Sequence, residues 1–119
     1  MSQDYTPGDY LVFQIESGFG LLRLLDIETL DGKRVWHVAA YRDMFLDVDM
    51  ADSVLSAGSD LTVSHDHLAL TTRAFESTQT ARMSNAPLSE SDLQGLRAWQ
   101  KDPDRSVSDR SVRLHLGIR

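Results

Sequence analysis

Asp31-Gly32 stands between two apolar runs and commits the first third of the chain to an antiparallel hairpin. A two-residue turn that matches the twist of its strands needs left-handed backbone at both positions, and Asp-Gly is among the few pairs that tolerate it. Upstream, Phe19 to Glu28 is apolar on both sides at Leu21, Leu22, Leu24 and Leu25. A strand buried on both faces, or one curling through a small barrel, reads this way. Downstream, Arg34 to Tyr41 carries Val35, Trp36, Val38 and Tyr41. Asp9 to Glu16 alternates, with Leu11, Phe13 and Ile15 on one side and Tyr10, Val12 and Gln14 on the other. This period of two predicts a strand, and Ser17-Gly18 supplies the turn into the next. A three-stranded meander follows.

Later segments are predicted with less regularity. Asp49 is expected to cap a short helix running to about Ala57, with Gly58 as its stop. Leu61 to Val63 and Leu68 to Thr72 read as short strands flanking His65-Asp66-His67, and Thr72 to Asn85 as irregular, with one helical turn at 73–76. An amphipathic helix is predicted over Glu90 to Gln100. Ser89 and Asp92 have capping-box spacing, Leu88 and Leu93 have staple spacing, and Leu93, Leu96 and Trp99 form a stripe. Val112, Leu114, Leu116 and Ile118 alternate with Arg113, His115 and Gly117, the pattern of a final half-buried strand. The expected fold is mainly β (α+β): a small, strongly bent antiparallel sheet or partly open SH3-like barrel with one C-terminal helix and a last strand. Residues 1–8 read as a flexible leader and 9–119 as a single domain.

Composition narrows the function classes. With 119 residues and 41% hydrophobic content, one domain can bury a core without metals or disulfides. The chain has no cysteine, which removes thiolate chemistry and cysteine-ligated metals. It also fits a reducing compartment. No apolar run approaches the roughly 20 residues of a membrane span. The polar start lacks the basic and apolar regions of a secretory signal, so a cytoplasmic location is expected. Net charge is −6, which disfavours a generic nucleic-acid binder. The charge is uneven. Asp26 to Asp60 holds eight acids against Lys33, Arg34 and Arg42, whereas Arg97 to Arg119 holds six bases against Asp102, Asp104 and Asp109.

Few residues suggest chemistry. His65 and His67, two apart on a strand, would share a face and could both ligate a metal, with Asp60, His37 or His115 as a third donor. Asp43, Asp47, Asp49 and Asp52 do not satisfy a calcium loop, which needs a central glycine and a closing glutamate. Helix capping and a solvated face account for them, and an acidic surface of this kind can dock a basic partner. Gly18-Phe19-Gly20 lacks the rest of a phosphate loop. Phe19 there either plugs the barrel end or stands out as a contact. Ser64 and His65 are neighbours on a strand and would point apart, a poor nucleophile–base pair. Arg105, Arg110, Arg113 and Arg119 could form a basic stripe.

The run Pro7-Gly8-Asp9, Tyr10-Leu11-Val12-Phe13, Gly18-Phe19-Gly20-Leu21 and Arg23-Leu24-Leu25 resembles the opening of small bacterial proteins with SH3-like barrels, some of them immunity proteins of polymorphic toxin systems. The resemblance covers about the first third of the chain and brings no catalytic residues. It implies a protein that binds and blocks a partner, and the acidic balance is compatible with a basic one.

The reading is therefore a non-catalytic interaction module without a cofactor, monomeric or homodimeric, with Phe19, Asp43, Asp47, Asp49 and Asp52 as the partner-binding candidates. Two alternatives stay open: a small metal-dependent hydrolase centred on His65 and His67, and a nucleic-acid-binding barrel.

Overall fold

The computed structural model describes residues 4–118. Five strands form one antiparallel open sheet in the order β4-β3-β2-β1-β5: β1 (Asp9–Ile15), β2 (Gly18–Leu30), β3 (Lys33–Phe45), β4 (Val63–Thr71) and β5 (Thr80–Asn85). The expected meander is present. Leu30 faces Lys33 across the tight turn, with Asp31 at φ 51° and Gly32 at φ 77°. Register shifts at Gly20/Leu22 and Leu24/Asp26 mark bulges, which bend and twist a long ribbon.

Both faces of the sheet are covered, which explains why β2 is apolar on both sides. One face packs Leu11, Phe13, Leu22, Leu24, Trp36, Val38, Ala40 and Leu70 against Ala74 and Phe75 of α2 (Thr72–Glu76) and Val112 of α4 (Val112–His115). Trp36 and Phe75 stack there with ring centroids 4.3 Å apart. The other face holds two smaller clusters. Val12, Leu21, Tyr41 and Phe45 meet Ala51 of α1 (Val48–Ser56), and Leu25 and Ala39 meet Leu96 of α3 (Gln94–Lys101). Among the described residues no helix is long and apolar enough to cross a membrane.

Several elements differ from expectation. Asp47, rather than Asp49, caps α1, its carboxylate accepting from Met50 N at 2.8 Å. Ser89 and Asp92 do exchange capping-box bonds, at 2.9 and 3.1 Å. The α-helix nevertheless starts only at Gln94, because 90–93 is a tighter turn closed by Leu93 N to Glu90 O at 3.2 Å. β4 runs unbroken through His65-Asp66-His67, and β5 occupies the polar stretch that reads as irregular. β5 is an edge strand held partly by side chains: Arg82 and Asn85 bond the buried Asp9 carboxylate at 2.9 and 2.8 Å.

The predicted final strand is a correction. Residues 112–115 are helical, capped by Ser111, so Val112 and Leu116 fall one turn apart facing the core while Leu114 is exposed. The edge of β4 beside it is already taken, because Ser108 bonds Ala69 O and Thr71 N at 2.8 and 3.0 Å. The described part of the expected leader makes hydrogen bonds to the sheet. Tyr5 donates to Thr80 O at 2.8 Å and Gly8 N to Leu24 O at 2.7 Å, while residues 1–3 lie outside the described residues.

Candidate functional site

The histidines are divided by the pleat of β4. Val38 faces Leu68, yet Ala40 faces His65, so β4 spends three residues where β3 spends two. That extra residue is a bulge, and it turns His65 and His67 to opposite faces. The expected shared face is thereby overturned. His65 lies with Ala40 on the α4 side, its ring 6.4 Å from His115, while His67 lies on the α3 side, its ring 5.0 Å from His37.

On the α3 side a hydrogen-bonded chain runs from Glu28 through His37 to His67. His37 Nε2 lies 2.5 Å from Glu28 Oε1, and His37 Nδ1 lies 2.8 Å from His67 Nε2. A carboxylate can only accept, so it holds the His37 proton on Nε2 and leaves Nδ1 to accept from His67. His37 is completely buried and both its nitrogens are engaged. It therefore has no free lone pair for a metal or a substrate. Trp99 closes the group with its ring 4.7 Å from His37, its own Nε1 donating to Ser106 O at 2.9 Å. Gly95 makes this closure possible, since a Cβ there would fall 2.7 Å from the Cβ of His67. Burial, and then the adjoining His37, push the His67 ring down to about 4, against weaker pulls from Asp66 and Glu28. The arrangement locks tautomers and docks a helix. Among the described residues no group of three or more His, Asp or Glu side chains is placed to hold a metal ion.

Ser64 and His65 do meet, contrary to the simple strand expectation, with Ser64 Oγ 3.1 Å from His65 Nδ1. Among the described residues no carboxylate bonds that ring; its neighbour is His115, which bonds Ser108 Oγ at 2.9 Å.

The acidic candidates gather at the corner where β3 passes into α1. Asp43 accepts from Thr62 N at 2.6 Å, Asp47 caps the helix, and Asp49 and Asp52 are exposed on its surface. None of the four has an ion-pair partner among the described residues. Phe19 is half-buried opposite Phe45 and packs into the cluster beneath the corner. Interleaved with the aspartates are Met44, Leu46, Val48 and Met50, which are 46%, 76%, 39% and 46% exposed. They follow no clean period, so periodicity assigns them to no buried face. That lack of period was itself the signal, since no regular buried face accounts for them.

Arg23 is a further residue that the sequence did not single out. It is almost fully buried and donates to the carbonyls of Gly8, Ala86 and Pro87 at 3.1, 2.8 and 3.2 Å and to Tyr10 Oη at 3.0 Å. It splices the N-terminal entry to the segment leading into α3. Arg105, Arg110 and Arg113 do not form one stripe. Arg105 lies over Trp99, Arg113 bonds Gln14 O at 2.8 Å, and Arg119 lies outside the described residues. The chain matches no family model, no curated protein and no solved structure.

Proposed function

We propose that this chain is a non-catalytic protein-interaction module that docks a basic partner through the β3–α1 corner. One observation carries the reading. Six large hydrophobic side chains are exposed among the described residues, and four of them, Met44, Leu46, Val48 and Met50, fall within seven positions. Apolar side chains gathered at one surface and bordered by charge of one sign mark an interaction site, because burial against a partner removes them from water while the charges select that partner. Asp43, Asp47, Asp49 and Asp52 supply the border, and Phe19 supports it from beneath. The likeness of the N-terminal third to SH3-like immunity proteins supports the same reading, in which docking blocks the partner's activity. A five-stranded antiparallel sheet with bulges between β2 and β3 is compatible with that relation, and the cysteine-free composition fits work in a reducing cytoplasm.

The test compares capture by the wild-type protein with capture by the double variant Leu46→Lys, Asp49→Lys. Both positions are exposed and neither caps the helix. A stoichiometric basic protein held by the wild type and lost by the variant is expected. Equal capture by both would remove the corner from the interface.

A further inference from the structure

The other end of β3 carries the complement of this corner. A cleft of about 580 Å³ opens beside the β2–β3 turn, floored by Leu30, Val35 and Val107 and flanked by Lys33, Arg34 and Arg105. None of the three cations has an ion-pair partner among the described residues. Two are held over aromatic rings: the Arg34 guanidinium lies 5.6 Å from the Trp36 centroid and that of Arg105 lies 5.8 Å from Trp99. Asp31 on the rim is the one acid among the lining residues. In a chain of net charge −6, this is a basic, apolar-floored recess.

An occupant for it needs exposed apolar side chains alternating with carboxylates. The segment from Asp43 to Met50 has that composition and that exposure. It cannot reach the cleft of its own molecule. Lys33 and Phe45 are the two ends of β3, and thirteen residues at roughly 3.3 Å each span up to about 40 Å before any bending. We infer that the occupant is a second copy of this chain, so that the acidic corner of one molecule seats in the basic cleft of the next. The inference rests on the reading of the corner as a docking surface; the basic surface it meets is then the local cleft of a second copy, on a chain that is acidic as a whole. A contact between two different patches is heterologous, so it propagates into a chain or closes into a ring rather than stopping at a dimer. Its rim charges are exposed, so salt weakens it.

Sedimentation of the purified protein across a wide concentration range tests this. At low salt the average mass is expected to climb past two chains of 13.4 kDa each, and to fall back as salt is added. The corner variant Leu46→Lys, Asp49→Lys and the cleft variant Lys33→Glu, Arg34→Glu should each stay at one chain. Mixed together, they should form a dimer and stop there, because one keeps its cleft and the other its corner. Circular dichroism of each variant, matching the wild type, shows that the fold is intact. A wild type that stays monomeric at every concentration overturns the inference, as does a mixture that stays monomeric. A monomeric wild type that still captures a foreign basic protein through its corner would sink self-assembly alone and leave the docking reading standing.

Discussion

The four histidines make two pairs on opposite faces of one sheet, and the fold treats the pairs differently. His37 and His67 are directly bonded, end on a carboxylate and lie under Trp99. His65 and His115 are only neighbours, each bonded to a serine hydroxyl and each partly exposed. The difference comes from what terminates the chain of hydrogen bonds. A buried imidazole whose second nitrogen reaches an acid is fully satisfied and becomes a structural post. One that ends on a hydroxyl near water keeps its freedom and contributes little.

His37→Ala breaks the first pair and should have the largest effect. It removes a fully buried side chain and strands Glu28 and His67 without their partner. A cavity together with orphaned polar groups predicts a loss of about 3 kcal/mol. A urea melt against the wild type measures it. A loss no greater than that of a surface substitution would show that α3 does not depend on the array.

Acid should test the buried pair next. The ordinary value for histidine is 6.5, and His67 is pushed down to about 4 in the folded chain. Above the ordinary value both folded and unfolded states are neutral, and the group has no effect on stability. Between that value and about 4 the unfolded chain binds a proton that the folded chain refuses, so stability falls as pH falls. His115 is also lowered, by burial first and then by Arg110 and His65, so it contributes in the same direction. Asp9 acts lower still. Its hydrogen bonds to Thr6, Asn85 and Arg82 outweigh burial and hold it below 3.8, so its contribution is lost as pH drops through that range. Urea midpoints at neutral and mildly acidic pH should therefore fall for the wild type and fall less for His67→Gln. A His67→Gln protein with the full wild-type pH slope would place the titration elsewhere.

Part of the His37 array is implicit in the turn register, although His37 reads from the sequence only as a possible third metal donor. Once Asp31-Gly32 fixes Leu30 opposite Lys33, Asp26 falls opposite His37 and Glu28 falls two residues along the same face, within diagonal reach. His67 was not legible, because its face depends on a bulge that no side-chain pattern announces. β5 was hidden because Thr80 to Asn85 is polar, and its hold on β1 comes through Asp9 as much as through apolar burial. The C-terminal alternation misled for a different reason. A period of two identifies a strand only if a sheet edge is free to receive it, and the segment at Ser108 already occupies the edge of β4. The exposed residues from Met44 to Met50 resisted a periodic reading because their surroundings are solvent and no single packed face orders them.

His65→Ala should have the smallest effect and sharpen the contrast most. The side chain is half-buried and among the described residues bonds only Ser64, its neighbour in the chain, whose hydroxyl can turn to water. The ring of His115 stays anchored to Ser108 without it. The expected cost is about 0.5 kcal/mol, the size of an ordinary surface change, read in the same urea melt as His37→Ala. Removing His65 also takes a neighbouring ring away from His115, one of the influences that lower it. Part of the small loss at neutral pH should therefore be regained in acid. A cost as large as that of His37→Ala would mean that the α4 face is also built around its histidines, and the contrast between the two faces would fail.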